Sequence, residues 1–222
     1  MEHKRLTLFA GHYGSGKTNI AVNYAMLLAE EGKKVCIADL DIVNPYFRTK
    51  DSESELTEKG ITLISPQYAN SNVDLPALPA ESYRLVQDRS VFGVMDIGGD
   101  DRGAYALGRF AGAIKAEDNY RMAFVINRHR PLTSTVEDTV EIMREIEAAA
   151  GIRFTCIVNN SHLGAETTQE DFLASIPYAE AVSRATGLPI WLHTVEKSIA
   201  EGLTGLPVMP LTLQKKYFDL PQ

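Results

Sequence analysis

Seven short apolar runs punctuate the chain: "RLTLFA", "KVCIAD", "ITLIS", "SVFGVMD", "RMAFVIN", "RFTCIVN" and "LPIWLH". Several are apolar at both odd and even positions, the pattern of strands covered on both faces of a sheet. Amphipathic stretches separate most of them. In "TNIAVNYAMLLAEEG", Ile20, Ala21, Tyr24, Ala25, Leu27 and Leu28 fall on one helical face, and Gly32 offers a stop. A second helix, "STVEDTVEIMREIEAAAG", is predicted to open on a Ser134–Glu137 capping box and to close at Gly151. Further helices are expected near 102–114, 168–186 and 195–202. Strands alternating with helices imply right-handed crossovers and a mostly parallel sheet. The predicted architecture is a single three-layer α/β domain over residues 1–222, with about seven strands in a twisted sheet and helices on both faces.

Composition changes this picture little. The chain has 222 residues, 45% hydrophobic and 23% charged, enough for a well-buried core without covalent staples. Its two cysteines, Cys36 and Cys156, each sit inside an apolar run and form no C-x-x-C pair, so they read as buried core thiols. Isolated thiols suit a reducing compartment, and "MEHKRLTLFA" is too soon interrupted for a signal peptide. No apolar stretch approaches the roughly 20 residues that span a bilayer, so the expected location is the cytoplasm. The net charge of −7 argues against a nucleic-acid backbone as partner. One short basic loop, "NRHRP" at 127–131, reads as a solvated rim or a phosphate contact.

The chemistry begins at "GHYGSGKT", residues 11–18. The spacing G-x-x-x-x-G-K-[ST] is met by Gly11, Gly16, Lys17 and Thr18, with Gly14 as a third flexible point. Glycines let the backbone curl so that successive N–H groups face phosphate oxygens. The following helix adds its N-terminal N–H groups and the positive end of its dipole. Lys17 would bridge the β- and γ-phosphates, and the Thr18 hydroxyl would ligate Mg²⁺. A strand before and a helix after supply the context that the motif requires. Gly11, His12, Tyr13, Gly14, Ser15, Gly16, Lys17, Thr18 and Asn19 are therefore the candidate phosphate contacts.

Hydrolysis needs carboxylates as well. The second predicted strand ends in "IADLDIVNP", where Asp39 and Asp41 lie two apart and share a face at the carboxyl edge of the sheet. The fourth ends in "VFGVMDIGGD". There Asp96 fits the carboxylate that holds the metal through water, and Gly99 fits a backbone N–H that senses the γ-phosphate. Ligands of open parallel sheets bind at that same edge. The long irregular stretch "SPQYANSNVDLPALP", 65–79, is a second place where the chain would meet something other than nucleotide.

In their order along nearly the whole chain, "GHYGSGKT", "DLDIVNP", "DIGGD" and "TCIVNNSH" resemble the MinD/ParA group of P-loop ATPases. The resemblance implies ATP and ADP with Mg²⁺, bound between two protomers of a nucleotide-dependent homodimer that acts on an unidentified protein partner. It implies Asp41 as the residue that places the attacking water and Asp39 as a support for the metal alongside Thr18 and Asp96. It also implies an asparagine at the adenine, here Asn159 with Asn160 as the neighbouring alternative. Guanine-specific P-loop proteins use N-K-x-D, whereas "NRHR" at 127–130 has an arginine at the place of that aspartate, which favours ATP.

The chain departs from the group at His12, where a lysine usually reaches across the dimer. Histidine is shorter and partly charged at neutral pH. Either it caps the loop, with Arg48, Arg102 or Arg128 as the cationic finger, or turnover is slow and depends on a partner. The cysteine pair of the metal-handling relatives is absent, so no carried metal cluster is expected. The tail "LTLQKKYFDLPQ" is too short and too lightly basic for a membrane helix. Beside the switch ATPase stand two other functions: a dethiobiotin-synthetase-like ligase or phosphotransferase, and a nucleotide-binding adaptor with negligible hydrolysis.

Overall fold

Residues 2–40, 52–65, 80–99 and 101–213 are described by a computed structural model, with the backbone alone at 80, 101 and 102. All seven predicted strands form: β1 (Leu6–Ala10), β2 (Val35–Leu40), β3 (Thr62–Ile64), β4 (Phe92–Ile97), β5 (Tyr120–Ile126), β6 (Cys156–Asn159) and β7 (Ile190–Glu196). An eighth, β8 (Val208–Leu211), was not expected. The strands form one sheet in the order β3-β2-β4-β1-β5-β6-β7-β8, and every neighbouring pair is parallel. The sequence "VMPL" hides β8 because Pro210 has no N–H to donate. An edge strand tolerates that loss, and Pro210 lies opposite Val195 at the sheet margin.

Alternation along β1 divides the core. Leu6, Leu8 and Ala10 join one apolar cluster, which also holds Leu107, Phe110, Ile114, Met143, Ile146 and Val182. Phe9 points the other way and packs with Ile20, Tyr24, Leu28, Ile37, Leu56 and Val94. The first face is covered by α3 (Arg84–Gln87), α4 (Asp101–Gly108), α5 (Ala111–Glu117), α6 (Val136–Ala150) and α7 (Gln169–Thr186). The second is covered by α1 (Lys17–Glu30) and α2 (Glu53–Glu58). A sheet buried on both faces is what the unbroken apolar runs encode.

Several helix boundaries differ from expectation. On α1, Val22 is buried and Leu27 is half-buried, so the apolar stripe is turned slightly from the predicted one. The helix near 102–114 is two helices. Gly108 ends α4, and the turn that follows sinks Phe110 into the core before α5 starts. At 195–202, β7 runs on to Glu196 and leaves a single turn, α8 (Lys197–Ala200).

The capping box of α6 is displaced by one residue. Ser134 has helical dihedrals and donates its hydroxyl to Pro131 O at 3.0 Å, which spends it on the preceding 3₁₀ turn. Thr135 is extended, and its Oγ1 accepts from Asp138 N at 3.2 Å. Gly151 does close that helix, with φ 65°. The reciprocal box lies on α7, where Thr168 and Asp171 satisfy each other's backbone N–H groups.

The last described residues return to α1. Asn23 Nδ2 donates to Thr212 O at 3.0 Å while its Oδ1 accepts from Thr212 N at 2.8 Å, the pairing a neighbouring strand would offer. No helix among the described residues is long and apolar enough to cross a membrane.

Cys36 and Cys156 belong to the two opposite apolar clusters, and neither is disulfide-bonded. Burial pushes both thiols up to about 11. At pH 8 a maleimide or disulfide reagent should therefore modify neither on the folded protein and both once denaturant is added. Rapid labelling of the native protein would place at least one of them outside the core.

Candidate functional site

A phosphate cradle made of backbone must turn its N–H groups inward, so its carbonyls turn outward and need donors of their own. The loop from Gly11 to Gly16 meets this condition at His12, Gly14 and Ser15. The carbonyl of His12 accepts from Ser15 N at 3.1 Å and from Lys17 Nζ at 3.3 Å. The carbonyl of Gly14 accepts from Arg130 Nε at 2.8 Å, and that of Ser15 from Asn160 Nδ2 at 2.6 Å. Gly16 joins loop to helix at φ 88°, a left-handed conformation that disfavours a side chain. A Cβ there would also lie 2.2 Å from Asn160 Nδ2, so the clamp and the glycine require each other.

The acidic side of the cradle comes from β2 and β4. Asp39 and Asp96 are register partners on these adjacent strands, and Asp96 is in turn opposite Phe9 of β1. Their strand positions alternate with Ala38, Leu40, Met95 and Ile97, which belong to the far cluster, so both carboxylates point toward α1. Both are buried, as are Lys17 and Thr18 in the first turn of that helix. Beyond β4 the chain passes hard against the loop. A Cβ on Gly99 would stand 2.6 Å from Tyr13 N and 2.9 Å from Lys17 Nζ. A hydroxyl at the start of α1 and two carboxylates on the same side of the sheet are hard-oxygen donors of the kind that could hold Mg²⁺.

Asn19 follows in the same first turn of α1, and Tyr13 is a little over half exposed at the rim. His12 holds its imidazole below the ordinary histidine range. Burial is the main cause, and the cations Lys17 and Arg130 add to it against an opposing hydrogen bond with the Tyr13 backbone. Asp41 and Arg48 lie outside the described residues, as does the loop 66–79. Of Arg102 the backbone places it in the first turn of α4. Arg128 is directed away from the cradle, its Nη1 donating to Ala174 O on α7.

Asn159 ends β6 and Asn160 follows it, and their side chains meet different partners. Asn159 Nδ2 meets Ser175 Oγ at 2.9 Å and His193 Nδ1 at 3.2 Å, and its Oδ1 accepts from Ser161 N and Oγ. Asn160 Oδ1 accepts from Thr194 Oγ1 at 2.7 Å, while its amide nitrogen holds Ser15 O. Both amides are thus engaged by the protein itself, and both residues are buried. Here they connect β7 and α7 to the phosphate loop.

Three participants were missed in the sequence. Arg130 lay within the basic loop "NRHRP", but which of its cations would meet the cradle depends on a turn fixed by Asn127. That residue accepts from His129 N and donates to His162 O. Thr194 carried no signal at all. His162 stood one residue past the asparagine motif. Its Nδ1 accepts from Gly164 N at 2.9 Å, and its Nε2 lies 3.1 Å from where a Cβ on Gly16 would sit.

A central phosphate loop flanked by carboxylate-bearing strand tips in a parallel sheet defines a P-loop nucleotide-binding fold. Residues 6–188 match the CobQ/CobB/MinD/ParA nucleotide binding domain, and the chain belongs to that family. No curated protein matches it in sequence.

Solved structures share the fold at low identity. The cell division protein FtsY from Thermotoga maritima is 19% identical with a TM-score of 0.60, covering 87% of this chain and 62% of that one. The chloroplast FtsY from Physcomitrella patens is 17% identical with a TM-score of 0.61, covering 90% and 61%. The 54 kDa signal recognition particle protein from Aeropyrum pernix, solved in complex with GDP, is 18% identical with a TM-score of 0.55, covering 85% and 41%. The chain spans less than two thirds of each of these proteins.

His162 makes the site's acid behaviour testable. In the unfolded chain the ring takes up a proton near pH 6.5. In the fold, burial first and then the nearby Arg130 and His129 push it down to about 4. Between those values the unfolded state binds the extra proton, so this contribution is fully present above pH 6.5 and is lost as pH falls toward 4. It amounts to at most about 3 kcal/mol. Urea unfolding at pH 7 and pH 4.5 should show a smaller loss of stability in His162→Gln than in the parent. Equal losses would contradict the burial of a neutral ring.

Proposed function

We propose that the protein is an Mg-ATP-dependent switch ATPase of the MinD/ParA kind, which closes as a nucleotide-bridged homodimer and is read in that state by a protein partner. The observation that carries this reading is the side-by-side pairing of Asp39 and Asp96 on the α1 side of the sheet, next to a loop whose Lys17 packs against Gly99. A phosphate site without such carboxylates would hold the metal by the Thr18 hydroxyl and the phosphates alone.

In this reading the N–H groups of the loop other than that of Ser15, which is bonded to His12 O, and the N-terminal N–H groups of α1 bind phosphate oxygens, and the Lys17 ammonium neutralises the β- and γ-phosphates. Thr18, Asp96 and Asp39 would hold Mg²⁺, which when bound would offset the charge that builds up on the transferred phosphoryl group. Asp41 orients the water that attacks the γ-phosphorus. The bond from that phosphorus to the β–γ bridging oxygen breaks, and ADP and inorganic phosphate leave. Gly99 lies against Lys17 and Tyr13, so loss of the γ-phosphate is felt first where β4 leaves the sheet.

His12, half-buried between two cations, supplies no permanent charge for a partner's phosphates. Turnover is accordingly slow until a partner binds. The turns at 127–133 and 159–165 contain no acidic residue, so neither offers guanine the carboxylate acceptor that its N1 and N2 donors need. Two of the structural neighbours, the Aeropyrum pernix protein and an FtsY from Elizabethkingia anophelis, were solved with GDP, which makes guanine the base to compete against adenine.

Titration with Mg-ATP should give saturable binding that Lys17→Ala weakens about 100-fold, the scale of one lost charge-assisted contact. GTP should compete poorly. Sizing with a non-hydrolysable ATP analogue should shift the parent to twice the mass seen with Mg-ADP. An absence of Mg-ATP binding, or a Lys17→Ala protein that binds as tightly as the parent, would defeat the proposal.

A further inference from the structure

The phosphate loop leaves the central strand β1, and its two sheet neighbours treat it differently. On the β4 side stand Asp96 and Gly99. On the β5 side stands Arg130, four residues past the end of the strand. Its backbone is pinned in the turn, with Arg130 N donating to Asn127 O at 3.1 Å and Arg130 O accepting from Thr133 N at 3.0 Å. Its guanidinium lies across Gly14. Besides the 2.8 Å bond from Nε to Gly14 O, a Cβ on Gly14 would stand 3.1 Å from Nε, 3.3 Å from Cζ and 3.4 Å from Cδ. The space that a side chain at residue 14 would fill is taken by the arginine.

A guanidinium has five N–H donors, and this one spends Nε on the loop. No carboxylate among the described residues forms an ion pair with it. The buried arginine at the opposite end of β1 behaves differently: Arg5 is paired with Glu117 and caps the carbonyls of Leu85, Asp88 and Val91. Arg130 also acts on the rings at both ends of the loop, lowering the proton affinity of His12 and of His162. A permanent cation fixed at Gly14 on the edge of the loop, in no ion pair with a carboxylate among the described residues, is placed to receive phosphate.

The geometry points to Arg130 as a second phosphate-binding cation of the cradle, which takes oxygens of the nucleotide held in its own chain's loop through its outer guanidinium nitrogens. It works from the side opposite the carboxylates. The phosphates thus lie between a metal-holding edge from β2 and β4 and a cationic edge from β5, with Lys17 beneath. This inference rests on the nucleotide reading above and adds a residue to it.

The test compares Arg130→Ala, Arg130→Gln and Arg130→Lys with the parent, each first checked for native circular dichroism. Arg128→Ala, altering the arginine turned onto α7, is the control. Affinity is measured for Mg-ATP and for tripolyphosphate alone. Glutamine keeps a neutral donor for Gly14 O and removes the charge, so a mere strap would be rescued by it. We expect Arg130→Gln and Arg130→Ala to bind both probes roughly 10- to 100-fold more weakly, Arg130→Lys to recover part of that loss, and Arg128→Ala to match the parent. Should Arg130→Ala fail to fold, the glutamine and lysine variants decide the matter. Parental affinity in Arg130→Gln would reduce the arginine to a strap and overturn the inference. A loss confined to protein concentrations at which two chains associate would place the guanidinium on the other copy's phosphates and overturn it equally. A parent that binds neither probe would instead remove the nucleotide reading itself.

Discussion

The site depends on carbonyls that point away from it. A loop can offer N–H groups to phosphate only while its own oxygens are satisfied by other donors. Here the oxygens of His12, Gly14 and Ser15 find donors in Lys17 and Ser15, Arg130, and Asn160 respectively. An unmet buried carbonyl costs about 1–3 kcal/mol, enough to favour a flipped peptide that would turn an N–H out of the cradle. The shape of the cradle is therefore set as much by β5 and β6 as by its own glycines.

That dependence accounts for the polar groups buried behind the loop. Thr194 holds Asn160, and Asn159 gathers Ser161, Ser175 and His193, so the tips of β6 and β7 and the side of α7 form one hydrogen-bonded unit. Networks of this kind fix a single arrangement because each partial rearrangement strands a buried donor or acceptor. On the other flank Asp39 and Asp96 are fixed by strand register, a backbone constraint, and Gly99 is fixed by close contact. One side of the cradle is thus held by side-chain hydrogen bonds and the other by the sheet.

Features governed by local backbone chemistry were legible in the sequence. The phosphate loop, the seven strands, and the placement of Asp39 and Asp96 at one sheet edge followed from spacing and period, which tertiary contacts do not alter. Features that depend on which way one side chain turns were not. Asn159 and Asn160 were recognised as a pair, yet their amides are committed to Ser175, His193, Thr194 and the Ser15 carbonyl, partners remote in sequence. The sequence pointed to Ser134 as the cap of α6, and a 3₁₀ turn ahead of it moved that role to Thr135. Strand β8 escaped because its proline violates the pattern of central strands and is permitted at an edge.

The threonine that steadies Asn160 comes late in the chain, and the segment that carries it is fastened later still, where Asn23 grips Thr212. During synthesis, β1, the glycine loop and α1 emerge well before β7, with the bracing that shapes them still unmade. A nascent chain ending at residue 188 has every residue of the cradle yet lacks Thr194 and the strand that carries it. The ribosome thus finishes the part that grips the anion long before it finishes the part that keeps it open. Bracing of the loop arrives with β7 rather than with the motif.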